Sequence, residues 1–121
     1  MSGGERMTLL TTGLIENTVI SGVRPTTDLV VRISNDDVVA VSVLIAGFFV
    51  TGPTKTQYVE ELLNILPGNV TTRTYFAQFN AFEFQFTTSS IATEISLWGK
   101  NAAGDLTAAH RAVPEELSIF G

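Results

Sequence analysis

The sequence holds one histidine, His110, and it is the first residue to weigh as a general acid or base. Such a base needs a carboxylate to orient it and a nucleophile to act on. His110 stands between Ala109 and Arg111 in a strand-like run that supplies neither. Paired carboxylates could share one bond, and adjacent pairs occur at Asp36-Asp37, Glu60-Glu61 and Glu115-Glu116. Neighbours on a strand point to opposite faces, so two of these pairs do not easily converge. Asp36-Asp37 lies in a turn and could help hold calcium, but it lacks the spaced oxygen ligands of an EF-hand loop. The 10 glycines punctuate the chain without spelling GxSxG, a P-loop or GxGxxG. Asn69-Val70-Thr71 is a glycosylation sequon by spelling only. Trp98, Tyr75 and Tyr58 fall opposite the expected core positions or in uncertain ones, which makes them candidates for a carbohydrate-stacking face. Outward aromatics are also normal at subunit contacts. No catalytic, cofactor-binding or metal-ligating set emerges, so an enzyme is not expected.

Composition narrows the class of protein. A chain of 121 residues reads as one domain. It can bury roughly 65% of its unfolded surface, enough for one core without staples. Only 16% of residues are charged, against 45% hydrophobic, which suits a surface that partners cover. The formal net charge of −5, with seven scattered Lys and Arg, argues against nucleic acid. There are no cysteines, so disulfides, thiolate metal sites and thiol catalysis drop out. The longest apolar run, Val38 to Val50, is interrupted by Ser42 and Gly47 and falls short of the about 20 residues a membrane helix needs. Met1–Arg6 lacks the basic and apolar regions of a secretory signal. A soluble chain, with no membrane partner and no cleaved signal, is expected.

The elements that would position any functional residue are strands. Leu29, Val31 and Ile33 alternate with Val30, Arg32 and Ser34, a period of two that marks a half-buried strand. Val38 to Val50 reads as a central strand, or one whose second face another subunit covers. Phe82, Phe84 and Phe86 alternate with Glu83, Gln85 and Thr87; Ile91, Ile95 and Leu97 face away from Glu94, Ser96 and Trp98. Lys55 to Leu66 is ambiguous, since Val59, Leu62, Leu63 and Leu66 recur at helical spacing. Thr54, Thr56, Tyr58 and the neighbouring strands favour β, and strand is the reading taken. Asn101–Asp105 reads as a hairpin turn, with Leu106 to Val113 returning as a strand that Pro114 stops. About eight strands with frequent turns predict an all-β chain, a single antiparallel sandwich of jelly-roll or immunoglobulin-like type. Its core candidates are Leu29/Val31/Ile33, Val41/Val43/Ile45, Phe82/Phe84/Phe86 and Ile95/Leu97.

Residues 1–15 stand apart as an N-terminal arm, with residues 16–121 as the sandwich. The arm segment Met7–Ile15 carries Met7, Leu9, Leu10, Leu14 and Ile15 among threonines, and Gly13 offers a hinge. A sandwich has open strand edges that must be hidden or used. The arm is either the first strand of its own sandwich or a strand that augments a neighbour's sheet. The second alternative gives a head-to-tail contact, hence a ring or an open fibre.

Leu97-Trp-Gly-Lys-Asn-Ala-Ala-Gly-Asp-Leu-Thr-Ala-Ala-His-Arg111, followed by Glu116-Leu117, resembles the C-terminal hairpin of small jelly-roll β-proteins from spore-forming Firmicutes. Thr11–Ile15 and Asn35-Asp36 look similar too. More distantly, the layout resembles the subunits of endospore appendages, whose N-terminal connectors join subunits into pilus-like fibres. The resemblance implies a structural fibre subunit at the spore surface or exosporium, deposited there without a signal peptide. Its partners would be further copies of itself, with anchoring or tip proteins, and His110 and Arg111 would be features of a structural hairpin. The best-known appendage connectors carry cysteines; this chain has none, so joining would be non-covalent, through Met7, Leu9, Leu10, Leu14 and Ile15. The expected function is a self-assembling appendage subunit, with a carbohydrate- or protein-binding module as the alternative.

Overall fold

The computed structural model describes residues 7–114. Glu115-Glu116, Glu116-Leu117 and residues 1–6, named in the sequence reading, lie outside them. The described residues form ten strands: β1 (Thr8–Thr11), β2 (Ile15–Glu16), β3 (Asp28–Asn35), β4 (Val41–Thr51), β5 (Thr54–Ile65), β6 (Val70–Phe76), β7 (Ala81–Thr88), β8 (Thr93–Lys100), β9 (Leu106–His110) and β10 (Val113–Pro114). They build two antiparallel sheets, packed as a sandwich. One runs β10-β1-β7-β4-β5, with β2 also on β7; the other runs β6-β3-β8-β9. There is no helix among the described residues, and so none long and apolar enough to cross a membrane.

The two-residue period does the folding. Leu29, Val31 and Ile33 of β3 and Leu97 of β8 meet Val41, Val43 and Ile45 of β4 and Phe82, Phe84 and Phe86 of β7, all of them buried. Each such side chain contributes about 1.5–3 kcal/mol on leaving water. Ile95 packs on the same core, partly buried. The ambiguous stretch is strand: β5 turns Leu63 and Ile65 inward and leaves Leu62 exposed, and Leu66, just past its end, is exposed too. Pairing with β4 on one side overrides its helical spacing.

Four expectations need correction. Val38 and Val39 are exposed and precede β4, because the buried Asn35 side chain holds the turn: its Nδ2 donates to Val39 O and Ile65 O, each at 2.8 Å. Ile91 is 89% exposed, in the turn ahead of β8 rather than on its inner face. The returning strand is split: β9 ends at His110, and the chain crosses to the other sheet, where Val113-Pro114 pairs with β1. Proline is tolerated there because β10 is an edge. Tyr58 and Tyr75 are not outward. Both rings pack on Phe84, at 6.1 and 5.2 Å. Tyr58 is the extra residue where β5 slips against Gly47/Phe48, and its hydroxyl donates to Phe76 O.

Candidate functional site

The N-terminal run and the edge of β7 form one unit. β1 pairs antiparallel with β7 from Thr8↔Thr88 to Thr11↔Gln85, and β2 continues along the same edge with Ile15↔Phe82 and Glu16↔Ala81. Between them the arm gains one residue relative to β7. Thr12 stays attached: its N–H donates to Phe84 O at 3.0 Å, and its Oγ1 accepts from the Phe84 N–H at 3.1 Å. Gly13 then takes φ +66°, a left-handed conformation that suits glycine, and makes a bulge. The residue read as a hinge is therefore what resets the alternation. Leu10 and Ile15, five residues apart, both reach the core because of it.

The five arm residues separate accordingly. Leu10 and Ile15 pack against the core, whereas Leu9, opposite Thr87, lies half-buried on the outer face. Met7 is 59% and Leu14 60% exposed. A groove of about 350 Å³ runs beside β1, lined by Leu10, Ile91, Ile95, Ala112 and Pro114 among others.

Two buried polar residues that sequence reasoning passed over fix this arm. Asn17 is 1% exposed. Its Nδ2 donates to Thr26 O, Ala77 O and Phe79 O at 2.8, 2.9 and 3.1 Å, and its Oδ1 accepts from the Thr26 N–H at 2.9 Å. Arg24 donates to Asn17 O at 2.9 Å and to Asn80 Oδ1 at 3.0 Å. The arm is thus nailed down at its C-terminal end, just past β2. Glu83 lies on the outer face of β7 yet is only 6% exposed. It accepts from Thr11 Oγ1 of the arm at 2.5 Å, from Lys55 Nζ at 2.7 Å and from Gln85 Nε2 at 3.2 Å. Burial pushes its carboxyl up, but the bonds from Lys55, Thr11 and Gln85 outweigh burial and hold it below the usual carboxylate range. Alternation with Phe82, Phe84 and Phe86 puts Glu83 on the face away from the core, and carries no sign that it is buried there. An asparagine between Glu16 and Thr18, and a lone carboxylate amid three phenylalanines, are the only signals the sequence offered.

The remaining candidates are dispersed. His110 is half-buried opposite Leu97; burial lowers its pKa, and among the described residues its Nε2 has no hydrogen-bond partner. Glu60 is exposed, while Glu61 turns inward and bridges the sheets to Arg73 Nε and Tyr75 Oη, both at 2.7 Å. Arg73, then Tyr75, hold the Glu61 carboxyl below its ordinary value. Asp37 accepts from Ser90 Oγ at 2.6 Å, which lowers its pKa, and Asp36 accepts from Ser34 at 2.7 Å. No group of three or more His, Cys, Asp or Glu able to hold a metal occurs among the described residues. Trp98 is on the outer face, with the Arg32 guanidinium over its ring at 5.3 Å.

Fold and site together define an antiparallel β-sandwich whose first described strand is clamped onto β7. No family model, curated protein or solved structure matches the chain.

Proposed function

We propose that this chain is a structural, self-assembling subunit of a spore-surface appendage or fibre. Its copies are joined head to tail without covalent bonds: residues 7–16 of one copy leave their own β7 and fill the same slot on the next. The observation that supports this best is the placement of the arm. It is one continuous run, held along β7 and joined on its other side only by the two pairs to Val113-Pro114, and it adds only Leu10 and Ile15 to the core. Beyond it, Asn17 is locked to the body. Peeling off the arm as far as Asn17 leaves the rest of the core in place and opens the edge of β7, for which an identical arm is the natural filler. Nine extended residues reach about 30 Å, the width of a small domain. The absence of cysteine means such a joint relies on backbone pairing and apolar burial. The spore-surface setting rests on the likeness of the Leu97–Arg111 hairpin alone. No observation favours carbohydrate binding: Tyr58 and Tyr75 are packed inside, and Arg32 covers the Trp98 ring.

Deletion of residues 1–15 tests the reading. The full chain forms fibres visible by negative stain, and the truncated chain is folded, forms no fibre, and is capped in trans by a peptide of residues 7–16. Fibres from the truncated chain would refute the role of the arm.

A further inference from the structure

The sandwich has four strand edges, and the described residues defend three of them. Among the described residues β10 is only Val113-Pro114, and it carries a proline. β5 carries Lys55, Glu60 and a bulge at Tyr58, where its register against β4 shifts. β9 is also out of step, since three residues from Ala109 to Leu106 span two from Trp98 to Lys100. Short strands, charges, proline and bulges are the devices that keep an edge from pairing with another chain. β6 has none of them on its outer face. It pairs with β3 in unbroken register from Asp28↔Phe76 to Ser34↔Val70. Its sequence, Val70-Thr-Thr-Arg-Thr-Tyr-Phe76, is rich in strand formers. Val70 and Phe76 are each about half exposed.

The backbone of this edge is available as well. Asn69 O accepts from the Asn35 N–H, and the Ala77 N–H donates to Thr27 O. In an antiparallel ladder bonded pairs alternate, so the odd positions of β6 bond to β3. The N–H groups of Val70, Thr72, Thr74 and Phe76 then point to the free side. Two carbonyls on that side are engaged, Thr72 O by Arg73 Nη1 at 3.1 Å and Phe76 O by the Tyr58 hydroxyl. Each keeps a second lone pair for a strand partner.

We infer that β6 is a second self-association surface, at which β6 of another copy pairs antiparallel about a twofold axis through Arg73. That register sets Val70 against Phe76 and Thr72 against Thr74 of the other copy on the outer face. Aromatic–β-branched and threonine pairs are among the favourable cross-strand combinations. The like charges at the axis are neutralised within each copy, because the Arg73 guanidinium turns to its own Glu61 at 2.7 Å. The contact is self-complementary and needs nothing from the arm. It would tie two head-to-tail strings side by side, or give a closed dimer on its own.

Cysteine reporters suit a chain that has no cysteine. Two full-length variants, Thr72→Cys and Thr74→Cys, are mixed and oxidised. In the inferred register a residue 72 faces residue 74 of the other copy at a bonded-pair separation of about 5.5 Å, within disulfide reach, while 72 against 72 is too far. The mixture is expected to cross-link about tenfold faster than either variant alone, a bias of one decade in effective pairing. Equal rates would overturn the register. Hydrogen exchange on the unmodified chain gives an independent reading. The amides of Val70, Thr72, Thr74 and Phe76 slow with rising protein concentration, and those of Thr71, Arg73 and Tyr75 do not. Concentration-independent exchange at the four edge amides would overturn the surface itself, whatever the arm does.

Discussion

Replacing Asn17 by alanine removes the clamp on which the arm's geometry depends. The side chain makes four hydrogen bonds in a site 1% exposed, three given through Nδ2 and one accepted at Oδ1. Its partner Thr26 is itself 4% exposed, so the Thr26 N–H loses its acceptor where water does not easily replace it. A stranded buried donor costs about 1–3 kcal/mol, and an ordinary lost bond about 1. The three carbonyls lose less than a full bond each, since they share two N–H protons. Together these give a loss of about 3–4 kcal/mol, a large part of the about 5–15 kcal/mol that holds a domain. At roughly 4 °C per kcal/mol for this size, the melting temperature falls by about 12–16 °C. Urea titration is the complementary assay: the midpoint moves with the slope unchanged if the native body is intact. Asn17→Asp should be worse at neutral pH, because it keeps the acceptor but turns a carboxylate toward three carbonyl oxygens. A loss under about 1 kcal/mol for Asn17→Ala would mean that the clamp is not a fixed point, and the arm would then have no defined end at which to peel.

Glu83→Gln, which loses the charge-assisted bonds to Thr11 and Lys55, is expected to destabilise by about 1–2 kcal/mol and to speed amide exchange in β1 before the rest of the sheet. Because the folded-state carboxyl is held low, its contribution is present above the unfolded-state value of about 4.3. It is lost as pH falls through the folded-state value, so acid loosens β1 in the natural chain and not in the glutamine variant, as exchange measured across that range would show. Gly13→Ala meets open space but holds φ +66°, so it costs about 1–2 kcal/mol of strain alone, read as faster proteolysis within residues 8–16. Gly47→Ala puts a Cβ 2.7 Å from the buried Phe84 ring and 3.0 Å from Val59; with little room for the ring to yield, about 2–3 kcal/mol is lost in chemical denaturation.

The sandwich was legible because a period of two states which face of a strand is buried, whatever its partner is. Leu29/Val31/Ile33, Val41/Val43/Ile45 and Phe82/Phe84/Phe86 needed no more than that. What could not be read were events that break the period. One inserted residue at Gly13–Leu14 sends Leu10 and Ile15 to the same side and leaves Leu14 in water. One at Tyr58 turns a ring expected outside into the core. Polar clamps fail for a related reason. Asn17, Asn35 and Glu83 are buried because groups distant in sequence converge on them, backbone carbonyls on the two asparagines and the Thr11 and Lys55 side chains on Glu83, and nothing local to Glu16-Asn-Thr18 or Phe82-Glu-Phe84 announces those partners. The arm was visible as a strand, but a strand pattern carries no label for the sheet that accepts it.

That missing label is physical as well as informational. An arm on its own β7 and an arm on a neighbour's β7 make the same contacts, Thr8↔Thr88 through Glu16↔Ala81. Their energies therefore cancel, and the choice falls to the hinge and to concentration. A short tether gives its own arm an effective concentration in the millimolar range, so a dilute chain keeps its arm closed. Exchange takes over where copies crowd to comparable density, as on a surface they coat, or where the closed arm is loosened first. Thr11 on Glu83 is a bond that opposes such loosening from the outer face, and the Gly13 bulge is where the ladder to β7 is interrupted. Assembly on this account is gated by crowding rather than by a new contact, so fibre yield should rise steeply near millimolar protein. The Glu83→Gln variant loses the same bond in the closed and the exchanged form, so it should assemble at the same threshold concentration but faster than the natural chain. If variant and natural chain assembled at the same rate, the latch between Thr11 and Glu83 would have no part in opening the arm.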